Sequence, residues 1–574
     1  VAFNKYVGYG LTTLAIYLLN KRNSSSSSSD SDPSDLNVTD GVTNLGNPIP
    51  VVLGRSMIKK PLIAYFGDFR ADIYTEEYSA HASFNGMSLV ITLILQYIAL
   101  GMSGHINPDA TGMQTGNANV IGNPYGGTVA TVTTKVTGTV KDDFVGPLLE
   151  TLFMWLLSWL INGRNLKTTI QKGFKYYLGY QYIICWTGDD IGIKNIWMNE
   201  YDTDTEKSSM TAIWSSGVAT KVNNPAGMTI KIDNEDMFGG CDEGGGFVGD
   251  LHVYFGGTAQ TVDPWMVQQM NASTVQAELR GLTPRYSAFL SIVVPTAYIG
   301  KTSSIPELWI EVSNIPNRLG LGDISGDTNP AEVIYECHVN DDWGLNEPAE
   351  LLDIDKLKAI GTVLKTEGMG ISVQMSSMTT AQSLIDNICD HINMVHYDDP
   401  HTGKTVYKLI RDDYNVDDLI ILDTSNCTSC ALTRLDWSEV ITSTTTSYLD
   451  HTDKYETCTV PVYDNANMKI TNTITPKTLD YTFFTTAANA LAAGERECKS
   501  QGYPLATCSI KANRVAHNLR IGDVFILKWT PYGITNMIMR ITNIDLGSLK
   551  EGEISIDATE DVFGFSKTIL DYNN

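Results

Sequence analysis

The chain has 574 residues, 43% apolar and 18% charged, with 65 Asp and Glu against 40 Lys and Arg and a net charge of −25. That length provides several domains. The acidic balance argues against a surface that wraps duplex DNA by neutralising phosphates, though an acidic wall that DNA passes without sticking stays compatible with it. Nine cysteines, odd in number and scattered between positions 185 and 508, lack the pattern of a secreted disulfide framework and read as reduced thiols in a cytoplasmic assembly compartment.

Residues 1–45 read as an N-terminal arm and linker. The apolar run Tyr6–Leu19, between Lys5 and Lys21-Arg22, falls short of the ~20 residues of a membrane span and shows no clear cleavage site. Six serines, Ser24–Ser29, open a polar linker. Residues 46–83 read as the start of a first β domain, with two apolar runs between Leu45 and Arg70 forming a β-hairpin.

Residues 84–174 read as an insertion of two apolar helices, 87–102 and 144–161, with a Gly- and Thr-rich strand stretch, Gly126–Val140, between them. Asp142-Asp143, Pro147 and Asn162-Gly163 punctuate the second helix. At ~1.5 Å per residue the two reach about 24 and 27 Å, just under the ~30 Å of a bilayer core, and Gln96 and Glu150 interrupt them. Two readings stay open: a helical pair buried in a multi-subunit core, or a segment that touches a host membrane. Leu89, Ile91, Leu93, Ile94, Leu148, Leu152, Phe153, Trp155, Leu156 and Trp159 are the candidate plug or membrane-contact residues.

The first β domain continues over 175–315, with strands expected at 180–186, 249–257, 287–294 and 308–312. A mixed α/β region, 316–429, follows. Asn329-Pro330-Ala331-Glu332 is a compact helix start in which Asn caps, Pro comes first and Glu reaches back. Leu357, Ile360 and Leu364 share one face of a helix ended by Gly368. Thr379–Gln382 forms a capping box for a helix with Ala381, Leu384, Ile385, Ile388 and Ile392 on one side, and a hairpin turns at Pro400–Gly403. Residues 430–574 read as a nearly all-β domain, a small barrel.

No HExxH, phosphate-binding glycine-lysine loop or GxSxG elbow occurs. Gly320, Gly322 and Gly326 miss a dinucleotide fingerprint by one position and read as a turn. Asp323, Ser325, Asp327 and Asn329 alternate like calcium ligands, but Thr328 stands where an EF-hand has its Gly. Cys427-Thr428-Ser429-Cys430 is a lone CxxC and reads as buried or edge thiols. Cys389, His391, His396 and His401 lie on different elements and are not expected to converge. Adjacent acids such as Asp341-Asp342 and Asp398-Asp399 read as solvated turns. No catalytic residue, metal or cofactor is expected.

Five blocks resemble the tail-tip (baseplate) hub proteins of long-tailed bacteriophages and gene transfer agents, a family that includes the N-terminal part of the phage lambda host-specificity J protein. They are 42–55 with 60–71, 144–181, 314–345, 396–415 and 519–564. In the third, NIPNRLGLGDISGDTNPAEVIYECHVNDDWGL, the motif positions are Arg318, Gly320, Gly322, Asp323, Gly326, Asp327, Asn329, Pro330, Trp343 and Gly344. The resemblance implies an α+β, β-rich multidomain chain with tube-like β-barrel hub domains, the inserted apolar helical pair and a C-terminal β-barrel. It implies a structural homotrimer at the distal end of the virion tail that joins a six-fold tube to a three-fold tip, closes the DNA channel and opens it for genome delivery. The implied partners are the distal tail protein ring, the tape-measure protein, central or side tail fibres, phage DNA in the lumen and, transiently, the host envelope. Lambda-type proteins continue into a long receptor-contacting region, whereas this sequence stops soon after Asp561-Val562-Phe563, so two readings of receptor recognition stay open: in this chain or in a separate fibre. The alternatives are a tail-associated cell-wall hydrolase and the hub of a contractile injection machine.

Overall fold

The structure is a computed structural model that describes residues 48–81, 165–202, 207–215, 217–234, 246–272, 280–300, 303, 305–376, 380–548, 550, 552–567 and 569–570. The chain divides into two compact units: Val1–Leu36, Arg70–Tyr176 and Lys301–Ser303; and Asn37–Phe69, Tyr177–Gly300 and Ser304–Asn574. The apolar segments at 87–102 and 144–161, with all ten candidate plug residues, and the strand expected at 126–140 lie outside the described residues. So do the N-terminal run and the serine linker.

In chain order the first β region contains β1 (Val51–Ile58), β2 (Leu62–His81), β3 (Asn165–Trp186), β4 (Gly192–Asp202), β5 (Lys207–Trp214), β6 (Ala219–Thr220), β7 (Met228–Asn234), β8 (Phe247–Tyr254), α1 (Pro264–Met270), β9 (Phe289–Tyr298) and β10 (Leu308–Asn314). The middle holds α2 (Pro330–Val339), α3 (Ile354–Glu367), β11 (Val373–Met375), α4 (Ala381–Ile392), β12 (Met394–Asp399) and β13 (Lys404–Leu409). Next come β14 (Ile421–Asp423), β15 (Cys427–Arg434), β16 (Ser443–Asp450), β17 (Glu456–Tyr463), α5 (Asn465–Thr471) and β18 (Pro476–Asp480). The last elements are α6 (Ala487–Gln501), β19 (Ala506–Ala512), β20 (Val524–Trp529), β21 (Ile534–Asp545), β22 (Ile554–Glu560) and β23 (Ile569–Leu570).

The first β region makes two sheets. One runs β11-β1-β10-β4-β5 with β6 on β4, and the other runs β2-β3-β9-β8-β7. The hairpin expected between 45 and 70 does not form, because β1 and β2 enter different sheets. Seven of the eight residues of β1 are buried, so the strand needs partners on both edges and cover on both faces, which a hairpin alone does not supply. Antiparallel β10 and β11 flank it instead, and Pro61, which has no N–H for a ladder, follows its end.

The middle forms its predicted helices and hairpin, with departures at the helix caps. Leu357, Ile360 and Leu364 are buried on α3, and Gly368 closes it in the left-handed conformation at φ +73°. The cap of α4 is Thr380, one residue beyond the predicted start, and its hydroxyl accepts from Ser383 N. Ser383 occupies the third helical position, so no Gln or Glu stands where the reciprocal half of a capping box would be. Leu384, Ile385, Ile388 and Ile392 are buried as expected, and Ala381 is half-buried.

The region after 430 is not nearly all β: α6 is a 15-residue helix packed on β16 and β17 of a three-stranded sheet, β17-β16-β18. Its buried side consists of Ala490, Ala493, Gly494 and Cys498, too small to give an apolar period. The small side chains let the helix backbone approach the sheet, where Thr444 Oγ1 donates to Gly494 O at 3.0 Å. The remaining strands form one sheet, β14-β20-β21-β22-β19-β15, with β23 on β21. Side chains of all six path strands share a single core, as in a sheet that curls on itself.

Gly54, at φ +100° in the middle of β1, faces Ser372, whose Cα would lie 2.8 Å from an added Cβ. Gly54→Ala is therefore expected to lower unfolding free energy by about 2 kcal/mol or more in a urea titration. A change within ~0.5 kcal/mol contradicts the packing described.

Candidate functional site

The 314–345 block folds into a turn cluster that ends in a buried polar knot. Gly320, Gly322 and Gly326 adopt φ of +81°, +68° and +88°, where other residues are strained, so the chain reverses within a few residues. Asp323 Oδ2 accepts from Gly326 N at 3.0 Å, and Asn317 Oδ1 from Gly322 N at 2.8 Å. The reversal delivers Asp327, 1% exposed, into the interior.

There Asp327 meets groups from three distant segments. Arg55 of β1 donates Nε to Oδ1 at 2.9 Å and Nη2 to Oδ2 at 3.3 Å. Ser372 Oγ donates to Oδ1 at 2.7 Å, and Thr485 Oγ1 to Oδ2 at 2.7 Å. Arg55 Nη2 also reaches Thr485 Oγ1 at 3.0 Å, and Arg55 N donates to Ser372 Oγ. Both charges are largely removed from water, so the pair depends on this full set of partners.

The other motif residues build the frame around the knot. Asn329 caps α2 by accepting from Ala331 N at 3.1 Å, while its Nδ2 donates to Gly361 O of α3 at 2.9 Å. Pro330 is the first helical residue. Glu332 does not reach back to the cap as expected. Its carboxylate, fully buried, accepts from Leu319 N and Leu321 N at 3.0–3.1 Å and ties the glycine turn to the helix start. Arg318, 43% exposed, pairs with Glu336 at 2.8 Å. Trp343 packs half-buried on the core, and a Cβ at Gly344 would lie 2.7 Å from the carbonyls of Cys337 and Asn340.

Three contributors were missed at the level of sequence: Arg55, Ser372 and Thr485 carry no local signal, because their partner lies 45 to 272 residues away. Gly361 left one trace, a glycine inside a helical pattern. An added Cβ there would lie 3.1 Å from Ala331 Cβ, so α2 and α3 approach closely at this point.

The residues weighed for chemistry are held in structural roles. Cys427 and Cys430 both face the C-terminal core with Cys508, an arrangement that i,i+3 positions of a regular strand do not allow; a register shift between Cys427 and Ser429 supplies it. Burial pushes the Cys427 thiol up to about 12. His396 Nε2 bonds Asp386, while His391 is enclosed between α4 and the 481–485 segment, so the histidines do not converge. Asp399 is not simply solvated: its carboxylate accepts from Arg520 Nε at 3.2 Å and so holds the β12–β13 hairpin to the C-terminal sheet. Among the described residues, no group of three or more His, Cys, Asp or Glu is arranged to hold a metal ion.

Residues 380–544, from the cap of α4 almost to the end of β21, match the family model described as "Putative phage tail protein". The match supports a phage tail protein. No curated protein matches the chain. Among solved structures, a chain in the virion of a native gene transfer agent particle is 11% identical, with 97% of this chain and 95% of that chain covered at a TM-score of 0.45. A 43 kDa tail protein of prophage MuSo2 from Shewanella oneidensis is 12% identical, covering 65% of this chain and 99% of that chain at 0.26. A prophage tail protein from Listeria monocytogenes EGD-e is 11% identical, covering 64% and 94% at 0.23. At these TM-scores the likenesses do not establish a common fold.

Asp327→Ala leaves Arg55 buried without its carboxylate and is expected to cost about 3–5 kcal/mol of stability. In a double-mutant cycle by urea unfolding, Arg55→Ala with Asp327→Ala should show a coupling of about 2 kcal/mol or more. Strict additivity would contradict a joint made by this pair.

Proposed function

We propose that the chain is a structural virion protein: the homotrimeric tail-tip hub of a phage or gene transfer agent, without catalytic activity of its own. The observation that carries this reading is the phage tail family match over residues 380–544. The β-rich architecture supports it: the first β region forms two sheets, and one of them is tied through Arg55 of β1 to Asp327 in the turn before α2. A trimer whose subunits each present two tube-like β elements meets a six-fold tail tube on one side and a three-fold tip on the other. The partners in this reading are the distal tail protein ring, the tape-measure protein and central or side tail fibres.

The net charge of −25 fits a lumen that lets DNA pass without binding it. The trimer closes the channel before infection and opens it for genome delivery. The apolar residues between Leu89 and Trp159 are the proposed plug or the transient contact with the host envelope. Among the described residues, no helix is long and apolar enough to cross a membrane.

Two experiments test the reading. A tag fused to the C-terminus, decorated with antibody fragments on purified particles, should give density with three-fold symmetry at the free tail end. Label on the head or along the shaft contradicts the hub. Liposome flotation with and without residues 84–162 should lose binding in the deletion, and equal binding removes the envelope contact.

A further inference from the structure

The segment Tyr481–Thr485, between β18 and α6, is a strap that stitches five places together. Tyr481 N donates to Ser447 O of β16, and Leu449 N of the same strand donates to Phe484 O. Ser372 N donates to Phe483 O, and His451 N to Thr485 O. Thr485 ends the strap at Asp327, inside the knot. Within the strap, the Phe484 side chain is fully buried.

The fifth attachment is a histidine. His391, 4% exposed near the end of α4, has both ring nitrogens engaged: Nδ1–H donates to Asn387 O at 2.7 Å, and Nε2 accepts from Phe483 N–H at 3.3 Å. The ring stacks on Phe483 with centroids 4.5 Å apart at 15°, and Tyr481 and Phe484 close around it at 4.6 and 5.3 Å. This arrangement accepts one state of the imidazole, neutral with its proton on Nδ1. A second proton would place N–H against N–H at Phe483.

The charged groups around the ring oppose that proton or are engaged elsewhere. Arg496 of α6 donates to His391 O at 2.7 Å, a like charge beside the cage. Arg411, which donates to Ile392 O, pairs with Glu367 of α3 at 2.8 Å. Glu497 of α6 holds Lys477 of β18, and Asp390, the neighbour on α4, is exposed. From the strap itself Tyr481 faces the ring, and at the strap's end a second histidine, His451, places Nδ1 2.8 Å from Thr485 O.

We propose that His391 and the 481–485 strap form an acid-sensitive clasp: protonation of the ring ejects Phe483, releases the strap and removes Thr485 from the Asp327 knot. The inference does not depend on the hub reading. Burial, reinforced by the Arg496 charge, lowers the His391 pKa to about 4 from an ordinary 6.5. A cation-forming group depressed on folding gives stability that is present above pH 6.5 and is lost as pH falls toward 4, because the open state binds the proton first.

Amide exchange on the full chain, corrected for intrinsic pH dependence, reads the clasp. The opening constant of 481–485 should rise about 40-fold between pH 6.5 and 4.5, the linkage factor for a pKa of 6.5 open and about 4 closed. Protection of β20 and β21 should hold over the same interval. In His391→Gln the rise at the strap should vanish. Loss of protection at the strap and at β20–β21 together, or an unchanged pH dependence in His391→Gln, overturns the proposal. If that variant does not fold, nitrogen resonances of selectively labelled histidines in the native chain decide. One ring held as the Nδ1–H tautomer below pH 5 supports the clasp, and the absence of such a ring overturns it.

Discussion

One buried ion pair organises the largest described part of this protein. Arg55 and Asp327 stand 272 residues apart, yet the carboxylate fits the guanidinium only because Ser372 and Thr485 complete its shell. Charges taken out of water contribute little unless every lone pair and proton is used, so the knot constrains geometry more than it adds stability. β1, the glycine-rich turn, the approach to β11 and the strap before α6 must all arrive within hydrogen-bond distance of one side chain. The positive φ angles of Gly320, Gly322 and Gly326 follow from that requirement, since the chain must reverse sharply between β10 and α2 to deliver Asp327.

From the knot outward, polar ties recur wherever one layer meets the next. Glu332 fastens the glycine turn to α2, and Asn329 fastens α2 to α3. Buried Glu311 of β10 takes Asn195 Nδ2 from β4 and Tyr455 OH from the turn between β16 and β17. At the far end Arg540 of β21 donates Nε to Asp561 at 2.8 Å and Nη2 to Arg411 O, linking the C-terminal sheet to the loop after the β12–β13 hairpin. Apolar cores hold each layer, and directional bonds set how the layers register.

Signals confined to a few residues were legible in the sequence. Asn329 and Pro330 start a helix, Gly368 ends one, and Pro400–Gly403 turns a hairpin, because each motif contains its own hydrogen-bond partners. Features decided at long range were not. β1 has the sequence of a hairpin strand, but its burial on both faces sent it to β10 and β11. α6 leaves no apolar stripe in the sequence, because close packing on β16 demands Ala and Gly. Of the motif residues, Asp327 was singled out for its alternation with Asp323 and Ser325, a ligand-like pattern, whereas its partner is an arginine on β1. The same limit applies to His391, whose cage is built largely by residues about 90 positions downstream.

A reconstruction of the intact particle at side-chain resolution tests the account most directly. It should show this chain in the tail, with the Arg55 guanidinium, Ser372 and Thr485 gathered on Asp327 within hydrogen-bond distance. A turn at 317–329 that faces solvent, with Arg55 bound elsewhere, would contradict it.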